Sequence, residues 1–200
     1  MDPEERLQRE RAKVMMRTHA RSLRASVPVS ALEVRSERIR ERLAALPVVA
    51  AAATIGLFWP IVRNNEVDLR PLVALWQAVG KRLAFPRVQG EGAPLAFAWV
   101  EDSATLEERG HGFSEPPAHA PEATALEVIV VPALLLDGRG HRLGYGAGYY
   151  DRTLRRFCPP GIAVAVAFDF QLAAEIPDLE DDVPVDRIVT DARTLERQPT

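Results

Sequence analysis

From Leu43 to Val62, twenty consecutive residues carry no charge, and a folded chain has to hide such a stretch from water. A helix of that length would span a membrane, so what interrupts the stretch decides its fate. Pro47, Gly56 and Pro60 break it, four successive alanines (Ala50 to Ala53) dilute it, and the apolar periodicity fails near Pro47. It reads as a helix end, a turn and a buried strand over Thr54 to Trp59, not as a membrane span.

The segments around it alternate in type. Residues 4–25 carry a helical pattern, and Ser30-Ala31-Leu32-Glu33 is a capping-box sequence opening a second helix. Asp68 is placed to cap a third, bearing Leu72, Leu75, Trp76 and Val79 and ending at Gly80. Strands are predicted over 82–85, 95–100, 127–131, 162–168 and 187–189, with a short helix over 149–157. This alternation predicts the α/β class, with a largely parallel sheet covered on both faces. Residues 101–126 form a long excursion of little periodicity, a type of loop that is often functional. Two hundred residues, 47% hydrophobic, with no internal repeat, predict one domain over 1–200.

Charge and cysteine narrow the function classes. The net charge is −3, yet residues 1–42 hold eleven Lys/Arg against seven Asp/Glu. A general nucleic-acid binder needs a larger basic surplus and interleaved aromatics, so the basic segment reads as solvated helices. Cys158 is the one cysteine, which excludes a disulfide framework and a thiolate metal cluster and fits a reducing cytoplasm. The four histidines (19, 111, 119 and 141) show no zinc-ligand spacing.

Five of the twelve glycines (138, 140, 144, 146 and 148) fall within eleven residues, between a predicted strand and a predicted helix. Such a loop is either a tight hairpin or an anion cradle, because the first N–H groups of a helix lack internal partners. No Gly-Lys-Ser/Thr closes it, and the spacing of Gly144, Gly146 and Gly148 is not that of a dinucleotide fingerprint. Arg142, Tyr145 and Asp151 flank it and offer an anion partner, an aromatic face and a carboxylate suited to Mg²⁺.

Weaker signals lie elsewhere. The chain has two lysines, Lys13 and Lys81, against twenty-three arginines. Lys13 and Arg17 share a helix face, either as an oligophosphate clamp or as two solvated charges. Trp59 and Glu66 border a polar loop beyond a strand, where open α/β sheets often place sites. Glu66 would accept from an N–H-rich ring edge or cap the next helix, and Trp59 would pack on a ring. Asp186 stands at the mouth of a late strand.

Together these segments resemble the 5-formyltetrahydrofolate cyclo-ligase family, most specifically through Arg142-Leu-Gly-Tyr-Gly-Ala-Gly-Tyr-Tyr-Asp-Arg152. Lys13-xxx-Arg17, Glu66-Val67-Asp68, Phe85-Pro86-Arg87, Ser114-Glu115-Pro116 and Asp186 fall in the family's order. The resemblance implies a three-layer α/β/α sandwich similar to the ribose-5-phosphate isomerase and CoA-transferase group. It also implies ATP- and Mg²⁺-dependent closure of 5-formyltetrahydrofolate to the 5,10-methenyl product by a cytoplasmic monomer. By match of position, ATP would meet Lys13, Arg17, Arg142, Leu143, Gly144, Tyr145, Gly146, Ala147, Gly148, Tyr149 and Tyr150. The folate would meet Trp59, Glu66 and residues 145–149, and Mg²⁺ would meet Asp151 and Asp186. Arg142, Tyr149 and Asp151 would be catalytic. Met16, Leu69 and Ala147 depart from the family pattern, and Ala147 requires that its position not need positive φ. A non-catalytic binding protein on the same fold would tolerate loss of the cations and carboxylates, all of which are present.

Overall fold

The computed structural model describes residues 1–110 and 113–197, so His111 lies outside the described residues. Helices α1 (Pro3–Ser26), α2 (Val29–Ala45) and α3 (Pro47–Ala51) precede strand β1 (Thr54–Gly56). Helix α4 (Arg70–Ala78) and strands β2 (Arg82–Arg87), β3 (Ala96–Trp99), β4 (Glu107–Glu108) and β5 (Ser114–Glu115) follow. The remainder comprises β6 (Val128–Pro132), β7 (Leu135–Leu136), β8 (Arg142–Leu143), α5 (Tyr149–Phe157), β9 (Ile162–Val166), β10 (Arg187–Val189) and β11 (Thr194–Glu196).

Seven strands form the main sheet among the described residues, in the order β11-β10-β9-β6-β1-β2-β3. The five inner strands run parallel, and β3 and β11 close the edges antiparallel. Side chains alternate between faces along a strand, which sorts the core into two. Val128, Val130, Val164 and Val166 pack with Ile39 and Leu43 of α2, Val49 of α3, and Leu72 and Trp76 of α4. Ile129, Val131, Ala163 and Ala165 face the other way, onto Leu154 and Phe157 of α5 and onto Phe97. This is the expected α/β/α layering, with α1 set apart against the β7–β8 hairpin through Ala20, Leu135 and Leu143.

The uncharged stretch divides into the last turn of α2, α3, β1 and an extended run into Trp59. No helix among the described residues is long and apolar enough to cross a membrane. Strand β1 stops at Gly56, short of the predicted Trp59, although the Leu57 N–H still donates to Ala84 O at 2.8 Å. Helix α2 starts at Val29, with no side-chain cap from Ser30. Pro28, at φ −56°, pre-sets the entry, so the capping box is not used. Asp68 lies one position before the N-cap of α4, and its Oδ1 accepts the Arg70 N–H at 3.1 Å.

Lys81 has a structural task. Its ammonium donates to the carbonyls of Val49, Ala50 and Ala52 at 3.0, 2.8 and 2.5 Å, closing the carboxyl end of α3. Three rotatable donors converge on three carbonyls, a geometry that a planar guanidinium does not match. Lys81→Met is expected to lower the melting temperature by about 5 °C, with unaltered turnover per folded molecule. Thermal unfolding with a parallel activity assay checks this, and an unchanged melting point would remove the capping role.

Candidate active site

The glycine run divides into two devices. Its first half is the turn of the β7–β8 hairpin, organised by the fully buried Asp137. The Asp137 carboxylate accepts the N–H groups of Arg139, His141 and Ile176, each at 3.0 Å, and pairs with the Arg139 guanidinium at 3.1 Å. Gly140 has φ +84°, and a Cβ there would collide with Val185 O, so this turn admits no side chain. The second half, Gly144 to Gly148, is an open loop that enters α5 through Gly148 at φ +66°. The first turn of α5 therefore presents backbone N–H groups without intrahelical partners. Asn65 is the one non-glycine with positive φ among the described residues, so Ala147 sits in its place without strain.

The loop lines a cavity of about 770 Å³ beyond the carboxyl ends of β6, β1 and β2, large enough for drug-sized ligands. Lys13, Arg17, Arg142 and residues 144–150 line it, as do Trp59, Glu66, Glu115 and Asp182. Lys13 is buried at 4% exposure and paired with Asp182, whose Oδ2 also accepts the Leu179 N–H at 2.7 Å. Arg17 Nε donates to Gly144 O at 3.0 Å. Burial, with the neighbouring Arg21, pulls the Arg17 guanidinium below its usual pKa, a sign of too little counter-charge.

Arg142 is buried in β8, with Nη2 donating to Asp151 Oδ1 at 2.9 Å and its guanidinium 5.6 Å from the centre of the Tyr150 ring. Its Nε is buried without a hydrogen-bond partner. An orphaned donor on a buried cation is costly, and here it belongs to a residue that lines the cavity. Asp151 Oδ1 also accepts the Val183 N–H at 3.1 Å, which ties α5 to the segment preceding β10.

At the Trp59 side, the indole meets Phe85 edge-on at 5.9 Å. Glu66 is buried, its Oε2 accepting the Ile61 N–H at 2.8 Å and its Oε1 the Tyr145 hydroxyl at 2.6 Å. Burial raises the Glu66 pKa, opposed by these two bonds and by Arg24. Burial and the adjacent Glu66 charge push the Tyr145 hydroxyl up to about 12.

The structure thus brings Lys13, Arg17, Trp59, Glu66, Arg142, the 144–148 loop, Tyr149 and Tyr150 to one cavity, with Asp151 bonded to its Arg142 wall. It does not bring Leu143 or Asp186 there. Leu143 packs beneath α1 in the apolar cluster with Ala20. Asp186 lies at the amino end of β10, where its carboxylate accepts the Ala163 N–H of β9 at 2.9 Å, at the opposite end of the strands from the cavity. Sequence reasoning missed Asp182 and Arg24. Only contacts across more than 120 residues give them meaning, although the run of acids at 178–182 was visible.

Known proteins resemble this chain along most of its length. The profile of the 5-formyltetrahydrofolate cyclo-ligase family matches residues 6–191. A 5-formyltetrahydrofolate cyclo-ligase of Mycolicibacterium smegmatis is 33% identical over 191 residues, covering 92% of this chain and 96% of its own. Its Escherichia coli counterpart is 30% identical over 86% of this chain and 96% of its own. The solved 5,10-methenyltetrahydrofolate synthetase of Aquifex aeolicus superposes with a TM-score of 0.81 at 30% identity over 94% of both chains. The family match therefore runs from within α1 through β10 and takes in the whole cavity loop: the chain belongs to the 5-formyltetrahydrofolate cyclo-ligase family and is an enzyme of that class.

Proposed function

We propose that the chain converts 5-formyltetrahydrofolate to 5,10-methenyltetrahydrofolate with ATP and Mg²⁺, releasing ADP and phosphate. The carrying observation is a single cavity in which three cations and a glycine loop adjoin a buried carboxylate and an indole. A formamide oxygen leaves poorly as it stands and well once phosphorylated. The formyl oxygen takes the terminal phosphoryl group of ATP, N10 attacks the activated carbon, and phosphate departs carrying the proton that N10 loses.

In this reading Lys13, Arg17 and Arg142 neutralise the phosphates, and the N–H groups at the start of α5 orient them. The donors suit a phosphate, since the Arg142 Nε lacks a partner and Arg17 has only the Gly144 carbonyl among its described bonds. Gly146 packs against the Arg17 guanidinium at φ +111°, a backbone conformation that side chains rarely adopt. Glu66 holds the N–H edge of the folate ring, and Trp59 and Tyr149 enclose its faces. Among the described residues no group of three or more metal-ligating side chains gathers. Mg²⁺ needs only one or two carboxylates when phosphates supply the other oxygens. Asp151, behind the Arg142 wall with its Oδ1 already accepting from Arg142 and Val183, would be such a carboxylate, and bound Mg²⁺ would supply charge neutralisation on the transferred phosphoryl group.

Mixing the protein with 5-formyltetrahydrofolate, ATP and Mg²⁺ should raise the near-ultraviolet absorbance of the methenyl product. No ATP-dependent rise would overturn the reading. Lys13→Ala is expected to weaken ATP binding about tenfold and leave folate affinity within about twofold. Equilibrium binding of each ligand measures this, and unchanged ATP affinity would take Lys13 out of the nucleotide site.

A further inference from the structure

The Tyr145 hydroxyl is the hub of a network that joins three separate parts of the chain. It donates to Glu66 Oε1 at 2.6 Å, and it accepts from Arg24 Nη2 at 2.6 Å and Asn64 Nδ2 at 3.2 Å. Arg24 lies in the last turn of α1 at 4% exposure, far from solvent for a guanidinium. The guanidinium carbons of Arg21 and Arg24 lie 5.4 and 5.9 Å from the centre of the Tyr145 ring, and Arg21 Nη2 donates to the Tyr145 carbonyl at 3.3 Å. The phenol is therefore held on its face by cations and at its oxygen by three partners. A buried arginine and a buried glutamate are joined through one hydroxyl rather than by direct contact.

We propose that Arg24 and Tyr145 are positioning residues for Glu66, holding it ionised with Oε1 directed into the cavity, ready to accept the N–H edge of an aminopyrimidine ring. The identity of that ring rests on the function proposed above; the ionisation of Glu66 does not. Chemistry makes the relay useful. A carboxylate oxygen has two lone-pair directions, so Oε1 can keep the Tyr145 hydroxyl and take a ligand N–H as well. A protonated Glu66 would be a poorer acceptor, and its own O–H would compete for that space. Burial alone drives this carboxyl toward protonation, while the Ile61 N–H, the Tyr145 hydroxyl and the Arg24 charge oppose it. The titratable groups facing Glu66 are Tyr145 and Tyr150 from the loop and α5 and Arg24 from α1, and Arg24 is the cation among them.

Two variants separate the relay from simple packing. Tyr145→Phe deletes only the hydroxyl, and Arg24→Gln deletes the charge at similar length. Carbon-13 titration of the ligand-free protein, with the Glu66 carboxyl assigned through Glu66→Gln, reads the ionisation directly. Each variant is expected to raise proton affinity at Glu66 three- to tenfold, and the double variant more than either alone. A second measurement uses quenching of tryptophan fluorescence by 5-formyltetrahydrofolate at pH 6 and pH 8. Removing the groups that favour the ionised form raises the Glu66 pKa, so binding should suffer at pH 6 and recover at pH 8, and Arg24→Lys should restore part of the loss. An unchanged midpoint in Tyr145→Phe overturns the proposal, as does an equal loss of binding at both pH values. If the wild type does not bind 5-formyltetrahydrofolate at either pH, the folate reading fails, and the carboxyl titration still decides the relay.

Discussion

On the function proposed above, replacing Arg142 by methionine is expected to lower kcat about a thousandfold, because a preorganised donor for the transferred phosphoryl group would be lost from a buried site. The expectation rests on placement. Arg142 sits in β8, held by the Asp151 carboxylate at 2.9 Å and by the Tyr150 ring, so its guanidinium is oriented before any ligand arrives. Methionine keeps most of the apolar stem and removes every donor. It also leaves the Val183 N–H as the remaining described partner of Asp151 Oδ1. The loss should fall on kcat more than on the folate KM, since the charge it meets develops during phosphoryl transfer. Following methenyl absorbance at saturating substrates checks this. A kcat within about tenfold of wild type would show that Arg142 supports the fold and not the reaction.

The second large effect concerns stability. Asp137→Ala strips acceptors from three backbone N–H groups and from Arg139 in a fully buried turn, and should cost about 3 kcal/mol. Urea unfolding measures the loss, and a cost below about 1 kcal/mol would mean that the turn is satisfied in some other way. Asp137→Asn keeps one carbonyl oxygen and should lose about half as much. The turn matters beyond its own bonds because β8 begins at Arg142, a few residues downstream. A loosened hairpin should therefore also lower turnover in the fraction that remains folded.

Sequence and structure agree where the signal is local. The strands at 82–87, 128–132 and 162–166 are apolar runs bounded by turn residues, and pairing lengthened or trimmed them by a few positions. The start of α5 after Gly148 was legible because a glycine in the left-handed region and an open first turn are local requirements. The glycine run read as either a hairpin or a cradle because the β7–β8 turn and the cavity loop share one composition, and Asp137 at zero exposure marks the half that is the hairpin. Edge strand β11 was missed because Thr194 to Glu196 has its partners only once β10 is in place. The pairing of Lys13 with Asp182 and the bond from Arg24 to Tyr145 join residues 169 and 121 positions apart, which no spacing rule reaches. Asp186 failed to reach the cavity for a topological reason, since sites on parallel sheets form at the carboxyl ends and it begins its strand.

Helix α1 brings Lys13, Arg17, Ala20 and Arg24 to the same side of the molecule, at intervals of four, three and four residues. A single rod thereby touches Asp182, the glycine loop and the Glu66–Tyr145 end of the cavity. One residue inserted between Lys13 and Arg24 would turn one end of that side away from the other by about 100°. The helix can accept many substitutions on its outer face, but its length between these contacts is fixed. In this enzyme the spacing between the Lys13 and Glu66 ends of the cavity is measured along a helix rather than across the sheet.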